Sequence, residues 1–173
     1  NQLEDWVTHG EVLEKDSRGV KVVRLADGRL LKIFRSRRHP LLVRLRPDAR
    51  LFSRNAQRLQ TLGIRIPQIL DSFWIDRGQA VSACLYQPLE GQPLDKLFRD
   101  ARSEFGPLLP GLAAYIRNLH RKGIYFRSLH LGNIILTPDG ELGLIDFSDL
   151  RIYSRALPVF MRRRNIRRML GIS

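Results

Sequence analysis

Two short apolar runs separated by a turn sequence place the strongest constraint on how this chain folds. Residues 134–136 and 142–145 are apolar, and between them stands Thr137-Pro138-Asp139-Gly140. Pro and Asp-Gly between apolar runs are typical of a β-hairpin. Because paired antiparallel strands bring their outer ends together, the sequence predicts that Asn133, just before the hairpin, lies close to Asp146, just after it.

An amide and a carboxylate that converge at one end of a hairpin offer oxygen ligands to a cation. Mg²⁺ is held by few protein oxygens and takes its remaining ligands from water and phosphates. Asn133 and Asp146 are therefore predicted to be Mg²⁺ ligands. An ordinary surface hairpin with a polar residue at each end explains the same two residues, and this alternative stays open.

The charge balance indicates an anionic partner. The chain carries 30 Lys and Arg residues against 17 Asp and Glu, a formal net charge of +13, and 25 of the basic residues are Arg. Guanidinium groups match phosphate oxygens in pairs, so phosphorylated glycolipid, anionic membrane headgroups and nucleic acid all qualify as partners. A GC-rich genome explains an excess of Arg without any function.

No acid follows Asp149, and the spacing of apolar residues after it permits an amphipathic helix with a basic face. A solvated helix face is the plain interpretation, and binding to an anionic partner is the sharper one. The residues predicted to make that contact are Arg162, Arg163, Arg164, Arg167 and Arg168.

The only cysteine, Cys84, allows neither an intrachain disulfide nor a Cys-based metal site. The first residues lack the basic stretch and the apolar run of a secretory leader. No apolar run approaches the roughly 18 residues that span a bilayer. These features predict a cytoplasmic protein, with peripheral association at the inner face of the cell membrane as an option.

The remaining segments predict five strands and three helices. Strands are expected around residues 11–15, 20–25, 30–34, 68–75 and 79–86, and helices around residues 48–62, 94–102 and 107–122. The apolar face of the first helix is predicted to hold Leu51, Phe52, Ala56, Leu59 and Leu62, with Gly63 ending it. A basic connection near Arg38 precedes that helix, and a Pro- and Gly-rich segment follows Gln87.

A family resemblance rests on residues 123–133 and 144–147. Ser128-Leu129-His130-Leu131-Gly132-Asn133 and Leu144-Ile145-Asp146-Phe147 resemble the catalytic loop and the D-F-G segment of kinases. These segments are most similar to those of the lipopolysaccharide core (Kdo/heptose) kinases, especially the small members of that family that are called toluene-tolerance proteins. Ser128 stands where that family has its catalytic Asp, and Phe126 stands where many members have His.

The resemblance, which covers residues 10–151, implies an α+β, protein-kinase-like fold. Residues 1–87 would form a small antiparallel β N-lobe with one helix. Residues 88–173 would form the hinge and a reduced, mainly helical C-lobe. The implied cofactors are ATP and Mg²⁺. No G-x-G-x-x-G phosphate loop is present, since only Gly19 stands in the corresponding turn.

The resemblance also implies residue roles. The nucleotide-binding positions are Lys32, Asn55, Tyr86 and Gln87, and the catalytic positions are Ser128, His130 and Asp146. Lys32 corresponds to the strand Lys that reaches the α- and β-phosphates, although a strand Lys often points to solvent. For His130 both a structural role and a general-base role stay open, whereas His120 is interpreted as a packing residue.

The implied activity is ATP-dependent phosphorylation of a sugar hydroxyl on the lipopolysaccharide core, at the cytoplasmic face of the inner membrane. Two alternatives stay open. Ser128 and Asn55, which replace a carboxylate each, favour a pseudokinase that binds nucleotide without efficient transfer. The charge alone favours a nucleic-acid-associated atypical kinase, for which binding would depend steeply on salt.

Overall fold

The chain has an α+β fold, seen in a computed structural model that describes residues 2–35 and 47–171. Contacts divide it into two compact units. The first comprises Asn1–Arg58 and Pro67–Pro88, and the second comprises Leu59–Ile66 and Leu89–Ser173. The predicted α+β class is confirmed. The short segment Leu59–Ile66 belongs to the second unit, whereas the sequence placed all residues before the hinge in the first.

The first unit is built on a five-stranded antiparallel sheet in the order β1-β2-β3-β5-β4. Its strands are β1 (Glu11–Asp16), β2 (Gly19–Arg24), β3 (Leu30–Arg35), β4 (Gln68–Asp76) and β5 (Val81–Gln87). All five were predicted within two residues at each end. The basic connection near Arg38 lies outside the described residues.

Alternating apolar residues give this sheet its core. Val23, Leu31, Ile33, Val81 and Ala83 are almost fully buried, as expected when every second residue of a strand faces the same side. Trp6, from the helix α1 (Gln2–His9), packs against this cluster, and its ring centroid lies 5.6 Å from that of Phe73. The sequence patterns did not predict this helix.

The helix α2 (Asp48–Thr61) buries Ala49, Phe52, Ala56 and Leu59. The assignment of Leu51 to the buried face is wrong, because that side chain is 37 % exposed. Successive helical residues point about 100° apart, so Leu51 cannot share a narrow face with Phe52. Gly63, at φ 70°, follows the helix, and its N–H donates to the carbonyl of Gln60 (2.8 Å).

The second unit combines helices with two small antiparallel sheets. Its helices are α3 (Leu94–Asp100), α4 (Arg102–Phe105), α5 (Leu109–Arg121) and α6 (Val159–Met169), with 3-10 turns at Gly106–Leu108 and Leu131–Asn133. Its strands are β6 (Gln92–Pro93), β7 (Ile124–Phe126), β8 (Ile134–Leu136), β9 (Leu142–Leu144) and β10 (Leu150–Ile152). The pairing orders are β6-β8-β9 and β10-β7.

Gly123 joins α5 to the two-stranded sheet in a way that no other residue permits. Its φ is 76°, and a Cβ at this position would lie 2.4 Å from the carbonyl oxygen of Tyr153. The Gly123 carbonyl accepts a hydrogen bond from the N–H of Tyr153 (3.0 Å). This close approach aligns the start of β7 with the end of β10.

The segment Leu59–Ile66 is attached to the second unit by both backbone and side chain. The N–H of Leu144 donates to the carbonyl of Arg65 (2.9 Å), and the Arg65 guanidinium lies 2.7 Å from the carboxylate of Asp139 at the hairpin turn. Within residues 2–35 and 47–171, no helix is long and apolar enough to cross a membrane.

Candidate functional site

The predicted hairpin is present and brings Asn133 and the residues before Asp146 together. Ile134 pairs with Leu144 at the open end of β8 and β9. One step further out, the N–H of Ile145 donates to the carbonyl of Asn133 (3.0 Å). Asn133 and Asp146 therefore lie at the same end of the hairpin.

Asn133 is buried and oriented by the loop before it. Its side-chain Nδ2 donates to the carbonyl of Ser128 (3.1 Å), and the residue is only 8 % exposed. Since the amide nitrogen is directed at the loop, Oδ1 is the side-chain atom through which Asn133 can bind a cation. The backbone N–H of Asn133 donates to the carbonyl of His130 (3.0 Å), which fixes the loop from the other side.

Asp146 adopts a left-handed backbone conformation, with φ 52°. Apart from glycines, Ala80 alone shares a positive φ in the part of the chain that the structure describes, and Ala80 lies in the turn before β5. Such a conformation costs on the order of 1 kcal/mol and persists where the surroundings enforce it, often at functional sites. The Oγ of Ser148 donates to Asp146 Oδ1 (2.9 Å), and the next residue, Phe147, is fully buried.

The loop from Ser128 to Asn133 packs tightly against α3. A Cβ at Gly132 would lie 3.2 Å from the carboxyl carbon of Asp95, and 3.1 Å from the imidazole of His130. A larger residue here would require the side chains of Asp95 and His130 to shift by a few tenths of an ångström, so glycine suits this close approach of the loop to the helix. Ser128 itself is exposed.

His130 stabilises this loop through its ring. The N–H of Gly132 donates to His130 Nδ1 (3.1 Å), so a neutral imidazole carries its proton on Nε2. A general base needs an unprotonated nitrogen directed at the reacting hydroxyl. His130 would have to give up the bond to Gly132 to supply one from Nδ1, so the geometry favours the structural role over the general-base role.

Asp149 is a second acid near Ser128, because strand pairing ties it to the preceding residue, Arg127. The Arg127 guanidinium lies 3.8 Å from the Asp149 carboxylate, and the Arg127 N–H donates to the Asp149 carbonyl (3.1 Å). Both side chains are about half exposed, so this ion pair is weak.

In the first unit, Lys32 is a buried lysine. It lies on β3 opposite Cys84 and is 8 % exposed, so the alternative of a strand Lys pointing to solvent is wrong. Its ammonium lies 5.4 Å from the ring centroid of Phe52 and 5.9 Å from that of Phe34. The negative faces of aromatic rings stabilise a cation at such distances.

Lys32 also lines a cavity of about 110 Å³ within the first unit. The described charged residues that line it are Asp16, Arg18, Lys21, Lys32, Arg35 and Asp48. Arg18 is paired with Asp16 (3.3 Å) and Lys21 with Glu14 (2.7 Å). Lys32 and Arg35 against the carboxylate of Asp48 still leave an excess of positive charge, which suits a small anion. The guanidinium of Arg35 donates to the carbonyl of Val20, just after the turn between β1 and β2. This turn therefore has a side-chain contact in place of a glycine-rich phosphate loop.

Asp48 was not predicted to take part in this cavity. It begins α2, the helix on which the resemblance placed Asn55 in the position of a carboxylate. The available signal was its isolation, because Asp48 is the one acid between Arg29 and Arg58. Asn55 is on the buried face of the same helix, at 5 % exposure.

The two other predicted nucleotide contacts lie at the end of β5. Tyr86 is 9 % exposed, and its ring centroid is 6.2 Å from that of Phe52, whereas Gln87 is exposed and pairs with Gln68. Tyr86 thus packs in the same aromatic group as Lys32.

No protein-family model matches this chain, and no curated protein matches it. Function is therefore inferred from the chemistry and geometry of the described residues.

The thiol of Cys84 is not a candidate nucleophile. Burial, together with the nearby charge of Asp71, raises the pKa of Cys84 to about 12. The thiolate that nucleophilic chemistry requires is therefore scarce at neutral pH.

The basic residues predicted on the last helix lie in different surroundings. Arg162 uses its Nε to donate to the carbonyl of Leu157 (2.6 Å), which fixes the start of α6. Arg164 and Arg168 line a cavity, whereas Arg163 and Arg167 are exposed and lie outside it.

A buried polar network anchors α6 to the rest of the second unit. His120 Nε2 and Asn165 Oδ1 are 2.9 Å apart, and Asn165 Nδ2 donates to the carbonyl of Phe126 (2.6 Å). Because the Asn165 amide nitrogen is the donor to Phe126, its oxygen accepts from His120. His120 is thus a buried structural residue, at 3 % exposure, as the sequence suggested.

Acidification is expected to destabilise the fold through His120. Burial lowers the pKa of the imidazole; the bond to Asn165 opposes this shift, and the charge of Arg162 adds to it. An unfolded His binds its proton with a pKa near 6.5, whereas the buried imidazole binds a proton less readily. Proton binding therefore stabilises the unfolded state relative to the folded state only below about pH 6.5. The free energy of unfolding should be unaffected above it and should fall below it, by up to about 1.4 kcal/mol per pH unit, until the folded imidazole also protonates.

Urea unfolding of the wild type and of His120→Gln, between about pH 7.5 and about pH 5, measures this effect. Glutamine can donate to Asn165 but does not titrate. The free energy of unfolding of His120→Gln should therefore depend less on pH than that of the wild type. Parallel pH dependences for the two proteins would show that another group is responsible.

Proposed function

We propose that this chain is a kinase-like protein that binds ATP together with Mg²⁺. The observation that carries the proposal is the end of the hairpin, where Asp146, at a positive φ, lies at the same end as the oriented amide of Asn133. Backbone conformations with a positive φ cluster at ligand sites, so this combination suits a ligand site.

The donor set fits Mg²⁺. One amide oxygen and one carboxylate are hard oxygen ligands, and Mg²⁺ completes its octahedral shell with water and phosphate oxygens. When bound, the ion would neutralise charge on the phosphates of the nucleotide. In this proposal, Asn133 and Asp146 hold the ion, and Ser148 orients the Asp146 carboxylate through its hydroxyl.

The family resemblance also assigns nucleotide contacts to residues of the first unit. Lys32 is buried, is stabilised by aromatic rings and lines a cavity of net positive charge, so it suits a phosphate contact. The family resemblance assigns Asn55, Tyr86 and Gln87 to the same function. It also extends the proposal to the acceptor, a sugar hydroxyl of the lipopolysaccharide core, and to a place at the inner face of the cell membrane.

The second candidate is a pseudokinase, which would bind the nucleotide without efficient transfer. Ser128 favours it, because a serine occupies the place where the resembled kinases have the carboxylate that takes the acceptor's proton. The geometry of His130 adds support, since Nδ1 is engaged by Gly132.

Asp146→Asn is expected to weaken Mg²⁺-dependent ATP binding by about tenfold or more, because it removes a charged metal ligand. Asparagine tolerates a positive φ as well as Asp does, so the backbone should be preserved. Calorimetric titration with ATP, with and without Mg²⁺, gives the measurement.

Glu141→Gln is the matched control, because it removes one exposed carboxylate from the same hairpin away from its open end. Its ATP affinity should equal that of the wild type. If Asp146→Asn binds Mg-ATP as tightly as the wild type does, the metal assignment is wrong.

A further inference from the structure

A second cavity, of about 280 Å³, lies between the β7–β10 sheet and α6 within the second unit. Its lining consists of four Arg, two Tyr, one Phe and one Met. These residues are Tyr125, Arg127, Arg151, Tyr153, Phe160, Met161, Arg164 and Arg168. Among the residues that the structure describes, no acidic side chain lines this Arg/Tyr pocket, and its lining is distinct from the residues assigned above to the nucleotide.

The sheet supplies half of the Arg/Tyr pocket through strand alternation. Tyr125 is the register partner of Arg151, while the next residue, Phe126, is fully buried on the opposite face. Residues two apart on a strand share a face, so Arg127 follows Tyr125, and Tyr153 follows Arg151. The two strands therefore present two guanidinium groups and two phenol rings on one side.

The helix supplies the other half. Phe160, Arg164 and Arg168 recur every four residues, which places them on one face of α6. Two hydrogen bonds from other positions of α6 fix the orientation of this face. Asn165 donates to the carbonyl of Phe126, and Arg162 donates to the carbonyl of Leu157. The pocket is thus formed between elements that buried hydrogen bonds hold in place.

The guanidinium groups of the pocket are poorly neutralised. Asp149 is 3.8 Å from Arg127, and both side chains are about half exposed. Among residues 2–35 and 47–171, no carboxylate lies within ion-pair distance of Arg151, Arg164 or Arg168. Cations gathered around one cavity repel each other, and an oxyanion that accepts paired hydrogen bonds from them relieves that repulsion.

The rings define the rest of the ligand. Tyr125 is nearly buried, Tyr153 is 39 % exposed and Phe160 is 71 % exposed, so the aromatic surface runs from the inside of the pocket to its rim. A bare phosphate would use the guanidinium groups and leave this surface in water. The volume is close to the lower limit of small-molecule pockets, roughly 300 Å³.

We propose that the Arg/Tyr pocket binds a small organic phosphate ester, with the phosphate on Arg151, Arg164 and Arg168 and the organic group against Tyr153 and Phe160. The ligand needs neither Mg²⁺ nor Asp146. Arg127, at the edge of the pocket, directly precedes Ser128, so such a ligand would lie beside the start of the loop.

Phenyl phosphate, inorganic phosphate and phenol are suitable probes, titrated into the wild-type chain and followed by calorimetry. Phenyl phosphate should bind more tightly than inorganic phosphate, and phenol should not bind measurably. In Arg164→Gln/Arg168→Gln the affinity for phenyl phosphate should fall by about tenfold or more, because two charged donors are lost.

Arg163→Gln/Arg167→Gln is the matched control, since it removes the same charge from exposed positions of the same helix that lie outside the pocket. Its affinity for phenyl phosphate should stay within about twofold of that of the wild type. Asp146→Asn should also bind phenyl phosphate normally. Neither variant changes a residue that is proposed to donate to the phosphate. Arg151→Gln tests the site from the sheet, independently of the helix, and should also weaken binding.

Equal losses in the two double variants would overturn the proposal, because they would indicate a diffuse charge effect. Inorganic phosphate binding as tightly as phenyl phosphate would overturn the role of the rings. Sedimentation with phosphatidic acid vesicles forms the lipid arm. Pelleting with these vesicles without any binding of phenyl phosphate would overturn the assignment to a small soluble ester.

Discussion

Ser128→Asp is expected to raise ATP turnover by about 10²-fold when an acceptor is present, because it restores a general base in the loop. Ser128 is exposed, and its carbonyl accepts the bond that orients Asn133. The substitution changes only the side chain, so that bond should persist. A serine hydroxyl is too weak a base to take a proton at neutral pH, whereas an Asp carboxylate can accept one.

The measurement is the steady-state rate of ATP turnover with Mg²⁺ and lipopolysaccharide core oligosaccharide, compared between the wild type and the variant. Ser128→Asn is the control, because it has the size of Asp and cannot act as a base. It should show no gain. The expectation rests on the proposed kinase-like function.

A wild type that already turns over at an ordinary kinase rate, about 1–100 s⁻¹, and that is slowed by Ser128→Asp would contradict this assignment. The base would then lie elsewhere, and the pseudokinase alternative would be wrong as well. If the wild type and Ser128→Asp both bind Mg-ATP and neither turns it over, the pseudokinase is favoured instead.

The elements that could be predicted are those with local signals. The hairpin follows from Pro and Asp-Gly between apolar runs, and the five strands of the first unit follow from short apolar segments bounded by turns. Gly63 was expected to end the helix α2, and it has a positive φ. Such patterns depend on a few neighbouring residues, so they can be recognised without the tertiary structure.

The features that were missed depend on long-range pairing. Strands β7 and β10 are three residues each and lie far apart in the sequence, so neither has a pattern of its own. Without their pairing, Arg127 and Arg151 could not be assigned to one surface with Arg164. The prediction for α6 rested on its density of Arg, whereas the structure places Arg164 and Arg168 on the pocket and Arg163 on another face of the helix.

The candidate metal ligands show the same division. The hairpin predicted that Asn133 and Asp146 lie at one end, since strand pairing fixes that much. The backbone conformation of Asp146 and the orientations of the two side chains could not be predicted, because Asn133 is oriented by the carbonyl of Ser128 and Asp146 by the hydroxyl of Ser148. The proposed ligand site rests on these contacts.

Asn165→Leu is expected to destabilise the second unit by about 2–4 kcal/mol, because it leaves two buried polar groups without a partner. Asn165 is 1 % exposed, accepts from His120 Nε2 and donates to the carbonyl of Phe126. Leucine has a similar volume, so the loss would come from the missing hydrogen bonds more than from packing.

Urea unfolding measures the free energy of unfolding of the variant. Arg163→Leu is the control, because it places leucine at an exposed position of the same helix. It should change the free energy of unfolding by less than about 0.5 kcal/mol.

The network also positions the last residue of β7, from which the chain enters the Arg/Tyr pocket at Arg127 and then the loop at Ser128. A folded Asn165→Leu should therefore bind phenyl phosphate more weakly than the wild type. If Asn165→Leu is as stable as the control, then α6 is held by its apolar contacts and the network does not anchor the pocket.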